Sequence, residues 1–319
     1  MEDMIKLLAE HPEPSARYRI AVGVKGFAEQ SREVVQLRLD VKESSRIQTM
    51  LAARDSDGRF PWHAYQKFNG SFWVFLVLAD MGYPVGDESL IPLRDQMLEW
   101  LFDPRRLKAI PLINGRWRRC ACQEGGAVFS SLRLGLVDSR VEQLVQMLLK
   151  WQWSDGGWNC DKHPDAAHSS FHESCIPLRA LNAFWLASGD ASVKAARDRA
   201  AERFLSRFLY KNPATGKAIK PEFTKPAYPA YWHYDFLYGL RAMAECGLID
   251  DPRCQDALDL LESKRLPDGG FGAEAKYYQY SHEVKTGRSL VDWGGTSKQH
   301  FNPFITAEAL TILKAASRI

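Results

Sequence analysis

The stretch that most constrains this chain is Gln152-Trp153-Ser154-Asp155-Gly156-Gly157-Trp158, because its frame recurs. Arg54-Asp55-Ser56-Asp57-Gly58-Arg59-Phe60 and Arg265-Leu266-Pro267-Asp268-Gly269-Gly270-Phe271 repeat the Asp-Gly step and place an aromatic residue two positions after the glycine. Weaker echoes stand at Gly115-Arg116-Trp117 and Gly216-Lys217-Ala218. Each copy follows an amphipathic helical run and precedes a more apolar one, so the anchors fall about 40 to 60 residues apart, a period that marks a helical repeat fold.

The runs between anchors alternate in character. Phe72-Trp73-Val74-Phe75-Leu76-Val77-Leu78 is apolar all round, as a helix buried on every side must be. Ser192-Val193-Lys194-Ala195-Ala196-Arg197-Asp198 carries charge at helical spacing. The pattern predicts inner helices over 14–25, 70–82, 123–136, 173–188, 231–247 and 300–316. It predicts outer ones over 31–53, 87–102, 138–152, 191–210 and 251–265, the first as one long helix or two abutting ones. The fold class is all-α, and about six such hairpins close into an α/α toroid, with an open solenoid as the competing arrangement. Residues 1–319 form one such domain, with residues 1–30 an N-terminal helical segment closing the ring. The longer inserts, 105–119, 159–170, 211–229 and 273–299, each follow an outer helix and gather at one end. Loops clustered on a rigid scaffold are where sites are built.

Composition narrows the partners. The balance of 42 basic against 39 acidic residues, with no long single-sign run, gives no footprint for nucleic acid. The charged start lacks a signal-peptide pattern and no apolar run is long enough to span a bilayer, so a cytoplasmic protein is expected. Six cysteines are too sparse for a disulfide scaffold. Cys246 and Cys254 read as packing residues, whereas Cys120, Cys122, Cys160 and Cys175 cluster around the loops.

Gln152 to Trp158 resembles the QW motif of squalene and oxidosqualene cyclases, and the Asp-Gly-Gly-aromatic anchors are similar to the repeats of protein prenyltransferase β subunits. The chain resembles more closely bacterial toroid proteins of the prenyltransferase or squalene-cyclase-like class. The matching stretches are Pro14-Ser15-Ala16-Arg17-Tyr18, Asp155-Gly156-Gly157-Trp158-Asn159-Cys160, Tyr234-Asp235-Phe236-Leu237 and Thr306-Ala307-Glu308-Ala309-Leu310. The resemblance covers about residues 47 to 316 and implies the α/α toroid. It also implies an enzyme handling an isoprenoid or terpenoid. The anchor itself reads as a staple: its glycines permit a tight turn, its aromatic residue packs over helix ends, and Gln152 hydrogen-bonds a neighbouring helix.

The resemblance also directs attention to the starts of the inner helices. The Asp-x-Asp-Asp acid of protonating cyclases is missing from the sequence. Protein prenyltransferases hold zinc with an Asp-x-Cys pair and a His. The comparable metal ligands here are Glu173, Cys175 and His233, with Glu in place of Asp and His233 one residue out of register. Asp235, His172 and His300 are expected at the same mouth as catalytic groups. Trp73, Cys122, Glu124, Trp185, Tyr231, Trp232 and Tyr234 are expected to line the substrate site, since aromatic side chains accommodate an apolar chain or a carbocation. Two other readings stay open. One is a non-catalytic toroid binding a small apolar ligand or a protein partner. The other is a carbohydrate-active toroid with paired carboxylates, for which Glu124, Glu173 and Asp235 are the candidates.

Overall fold

The structure, a computed structural model, describes residues 1–319 and is mostly helical. In chain order the helices are α1 (Glu2–Ala9), α2 (Pro14–Gly23), α3 (Arg32–Glu43), α4 (Ser45–Leu51), α5 (Ser71–Met81), α6 (Ile91–Leu101) and α7 (Pro104–Lys108). They continue with α8 (Cys122–Arg133), α9 (Ser139–Trp151), α10 (Phe171–Ser188), α11 (Ala191–Leu205), α12 (Phe236–Glu245), α13 (Gln255–Ser263) and α14 (Pro303–Ala315). No helix is long and apolar enough to cross a membrane. The alternation expected from the sequence is present: Phe72 to Ala79 on α5 are all buried, as are nine residues of α8, while α9 and α11 bury only one face.

Over 31–53 the alternative of two abutting helices is the one present, and two helix starts differ from expectation, each for a local reason. The run over 31–53 divides at Ser44, whose extended backbone ends α3 while its hydroxyl donates to the Val41 carbonyl at 2.7 Å. α12 starts at Phe236, not 231, because Asp235 is its N-cap and accepts from the Tyr238 N–H at 2.9 Å. α14 starts at Pro303, not 300, behind the cap Asn302, since proline suits the first helical position. Two short ribbons also appear: β1 (Leu112–Ile113) pairs antiparallel with β2 (Arg116–Trp117), and β3 (Gln279–Tyr280) pairs parallel with β4 (Arg288–Ser289). The stretch around Gly115 is therefore a hairpin rather than an echo of the anchor. Asn114 and Gly115, at φ 50° and 72°, have the Asn-Gly chemistry such two-residue turns demand.

The chain forms two compact units. Unit 1 comprises Met1–Ala52, Asp80–Pro84 and Arg207–Ile319, and unit 2 comprises Ala53–Ala79 and Val85–Ser206. In unit 1, α2 packs on α14, α3 and α1, and α12 packs on α14 and α13. A charge network joins Arg19 to Glu308 at 2.8 Å and Arg241 to Asp80 at 2.9 Å. In unit 2, α8 and α10 are the central pair, flanked by α9 and α11. Gly125 lets α8 approach the α10 backbone at Pro177, where a β-carbon would lie 2.8 Å from the Pro177 nitrogen.

The three anchors fold into one and the same turn. In each, the turn's first residue, which is the second of the anchor stretch, donates its N–H to the carbonyl four residues on, at 2.8 Å for Asp55 to Arg59, 2.8 Å for Trp153 to Gly157 and 2.9 Å for Leu266 to Gly270. The carbonyl of that first residue accepts from Gly58, Gly156 or Gly269, whose φ values are 76°, 92° and 86°. Gln152 extends the staple across unit 2, donating to the carbonyls of Gly156 and of Ala196 on α11, both at 2.8 Å. A β-carbon at Gly156 would stand 2.1 Å from the Arg199 carbonyl oxygen, on a left-handed residue. Gly156→Ala should therefore cost upwards of about 2 kcal/mol of stability. Gly189→Ala, left-handed but with open space around it, should cost only about 1 kcal/mol. Paired denaturant titrations of the two variants measure the difference.

Candidate functional site

The second anchor leads directly into the chemistry. Beyond the turn, the Trp158 N–H donates to the Ser174 hydroxyl at 3.0 Å, and the Ser170 N–H donates to the Trp158 carbonyl at 2.8 Å. These bonds fix the chain after Trp158 against the first turn of α10. Asn159 then pairs with Arg118 in a parallel β-bridge, and the Arg119 N–H donates to the Asn159 carbonyl at 3.0 Å. Cys160, next after Asn159, and Cys120, two after Arg118, are thereby held in the same neighbourhood. Glu173, on the first turn of α10, completes the group: the two sulfurs and a Glu173 carboxylate oxygen all lie within 4.8 Å of one another. This cluster could hold a metal ion.

The electrostatics of the cluster follow from burial. Glu173 is 6% exposed, and loss of water pushes its carboxyl above the usual range. Hydrogen bonds to its charged form work the other way. The Cys122 N–H donates to Oε2 at 3.3 Å, and the Cys160 thiol donates to Oε1 at 3.3 Å. Its hydrogen bond with Cys120 raises the Cys160 thiol far above its ordinary value, and burial and the facing carboxylate add to this. Burial, then Glu173, raises the Cys122 thiol likewise. Thiols bound to a divalent cation would give up their protons.

Cations and a phenol surround the cluster. Glu124, fully buried on α8, accepts from the Arg119 Nε at 3.0 Å through both oxygens and from Arg106 at 3.0 Å. Both guanidinium groups also reach Gln123. Tyr65 hydrogen-bonds Gln123 through its side chain, and burial, followed by the nearby Cys122, raises its phenol strongly. Tyr65 stacks on Trp100 at 4.9 Å and lies beside Phe72 and Trp73, so this side of the cluster is an aromatic wall.

Of the residues singled out from the sequence, the structure gathers some and separates others. Glu173, Cys122 and Glu124 lie at or beside the cluster. Cys175 is buried on α10 and stands outside the metal-competent set. His172 is half-buried next to Glu173. Trp73 has no exposed surface and packs among Tyr65, Phe68 and Phe72. Trp185 lies 13 residues along α10 from His172, about 20 Å at 1.5 Å per residue. There it receives Arg197 at 4.6 Å from its ring.

The remainder belong to unit 1, ahead of α12 and α14. His233 stacks between Trp232 and Tyr277, with ring centroids 4.0 and 3.4 Å away. The buried Tyr234 donates its hydroxyl to the Leu209 carbonyl at 2.6 Å. Tyr231 is buried, with a left-handed φ of 51°. Asp235 uses both oxygens as acceptors, from Tyr238 and from Ala227. His300 is exposed, its N–H donating to the Ser297 hydroxyl at 2.9 Å.

Cys120 and Cys160 were not chosen as ligands from the sequence, although the cysteine grouping and the stretch Trp158-Asn159-Cys160 were legible there. What the sequence lacks is the Arg118–Asn159 bridge that pairs them. The chain matches no protein-family model and has no significant match among curated proteins.

Asp235 offers a test of the cap reading. Burial raises its carboxyl from 3.8 to about 7. The folded state therefore holds this proton more tightly than the unfolded chain. The stability it contributes is complete below about pH 4 and is lost as the pH rises toward 7. Asp235→Asn keeps one accepting oxygen and has no proton to lose. Melting curves across pH 4–8 should show the wild type losing stability relative to Asp235→Asn as the pH rises.

Proposed function

We propose that this protein is a zinc enzyme of the prenyltransferase or squalene-cyclase-like class, with its helical pairs closed into an α/α toroid and its centre at Cys120, Cys160 and Glu173. One observation carries this reading. The third anchor repeats the docking of the second: the Phe271 N–H donates to the Thr306 hydroxyl at 2.9 Å, as Trp158 does to Ser174, and the Asn302 N–H donates to the Phe271 carbonyl, as Ser170 does to Trp158. In that copy, the positions equivalent to Cys160 and Glu173 are Ala273 and Ile305, both buried. The scaffold is thus satisfied by apolar residues, and a buried carboxyl with two thiols is an unneeded expense for the fold. Groups that burial penalises and packing does not require mark a functional site.

The donor set suits zinc. Two thiolates and a carboxylate are borderline-soft and hard ligands of the kind zinc takes, and three protein ligands leave a fourth position for a substrate group. When bound, the ion would act there as a Lewis acid. The residues around it do the rest. Arg119, held by Glu124, places positive charge beside the thiols. Tyr65 presents a phenol at the rim, and the wall of Trp100, Phe72 and Trp73 keeps that side dry. The substrate, an isoprenoid or similar apolar chain with a phosphate end, is supported by the Asp-Gly-Gly-aromatic repeats and the pairing of inner with outer helices.

Two measurements test the reading. Metal analysis of the purified full chain should find about one zinc per chain, and Glu173→Gln and Cys160→Ser should each weaken retention by at least about 100-fold. Cys175→Ala should retain it, and the opposite pattern would sink the assignment. The double variant Cys160→Ala/Glu173→Ile, which copies the third anchor, should fold with stability near that of the wild type while losing the metal. For the substrate, farnesyl or geranylgeranyl diphosphate at about 100 times its Kd should add ~2.7 kcal/mol of stability in a thermal shift. No shift with either diphosphate would remove the isoprenoid part of the proposal.

A further inference from the structure

We infer that Cys120 and Cys160 form an oxidative modification site: a dithiol that closes to a reversible disulfide under hydrogen peroxide, and whose closure removes two ligands of the proposed zinc centre. Only the second half of this statement rests on the zinc reading. The first half stands on the placement of the two sulfurs.

Three features set this pair apart. All six cysteines are free, and four of them, Cys122, Cys175, Cys246 and Cys254, are buried, whereas Cys120 and Cys160 are half-buried. A small oxidant can therefore reach these two thiols. The sulfurs already lie within 4.8 Å of each other. The β-bridge between Arg118 and Asn159, with the Arg119 to Asn159 hydrogen bond at 3.0 Å, holds the two backbones at pairing distance. From within 4.8 Å the two sulfurs have only to close to the roughly 2 Å of an S–S bond. Closure then requires side-chain rotation and little movement of the chain. Both residues also sit outside regular elements, Cys120 two residues before α8 and Cys160 in the loop after the anchor, so no helix has to unwind.

The steps balance. One cysteine sulfur attacks a peroxide oxygen, so that an S–O bond forms and the O–O bond breaks. The departing hydroxide takes up a proton as water and leaves a sulfenic acid. The second sulfur then attacks the sulfenic sulfur, the S–S bond forms, the S–O bond breaks and a second water leaves. Two thiols and one hydrogen peroxide become one disulfide and two waters, and a dithiol reductant restores the thiols.

The test is non-reducing peptide mapping by mass spectrometry of the chelator-treated full chain after exposure to hydrogen peroxide. The expected product is a cross-linked pair of peptides carrying Cys120 and Cys160, which disappears on treatment with dithiothreitol. Cys120→Ser and Cys160→Ser should each lose the cross-link and instead accumulate a sulfenic acid, trapped by dimedone, on the remaining cysteine. A disulfide joining Cys120 to Cys122, or independent sulfinic acids on Cys120 and Cys160 without a cross-link, would overturn the pairing. Repeating the oxidation with zinc added separates the two ideas. Zinc held by these sulfurs should slow the cross-link at least tenfold, whereas an undiminished rate would leave the disulfide standing and refute zinc ligation.

Discussion

The hydroxyl that docks the second anchor onto α10 and the third onto α14 is the contact from which the geometry around the cysteine–glutamate cluster follows. Ser174 and Thr306 are both the fourth residue of their helices, α10 and α14. Each accepts from the main-chain N–H of an anchor aromatic residue, Ser174 from Trp158 at 3.0 Å and Thr306 from Phe271 at 2.9 Å; Thr306 donates back to the Phe271 carbonyl at 3.0 Å, whereas Ser174 donates to the Ser170 carbonyl at 2.6 Å. A hydroxyl is the small group able to do both at once. At Gly157 there is no room for more, because a β-carbon would come within 2.4 Å of the Ser169 and Ser174 hydroxyl oxygens. The start of the helix is thus fixed to the turn by hydrogen bonds between a side-chain hydroxyl and the main chain of the anchor. Whatever occupies the residue before the hydroxyl, and the residue two beyond the aromatic, will face one another.

That constraint explains how a polar cluster is tolerated inside unit 2. A buried carboxyl is costly unless its oxygens are met by donors. Glu173 obtains a thiol and a main-chain N–H, and it lies in the first turn of α10, where the helix end favours negative charge. Glu124 one helix away is handled differently, with Arg119 and Arg106 as direct partners. Two carboxylates in one neighbourhood therefore have distinct characters. One is neutralised by guanidinium groups. The other faces thiols and a main-chain N–H.

How far the sequence disclosed this depends on the physical range of each signal. Helix period and the anchors are local, and the helices over 71–81, 122–133, 139–151, 171–188 and 191–205 fall where periodicity places them. Helix starts were less legible, because caps compete: Asp235 and Asn302 each stop a helix that apolar pattern alone would extend backward. Histidines expected at those starts consequently lie in loops, His233 stacked on aromatic rings and His300 exposed. The pairing of Cys120 with Cys160 was not legible, since it depends on a single isolated bridge between residues 41 apart. No periodicity announces such a bridge. Glu173 was singled out through the resemblance of Glu173-Ser174-Cys175 to the Asp-x-Cys pair of protein prenyltransferases.

Comparison of the second and third anchors separates what the fold needs from what the site needs. If Cys160 and Glu173 were there for packing, their counterparts would be expected to be polar as well, yet Ala273 and Ile305 are apolar and buried. The hydroxyls and glycines that make the turn are kept between the copies, while the residues facing each other beside it are exchanged for apolar ones. Backbone stapling and site chemistry are thus carried by adjacent but different positions. This arrangement lets one copy of a repeat acquire reactive groups without loosening the turn that aims them. It also accounts for the loop position of both cysteines, since Cys120 enters the slot from the neighbouring repeat and meets Cys160 only through the short bridge between them.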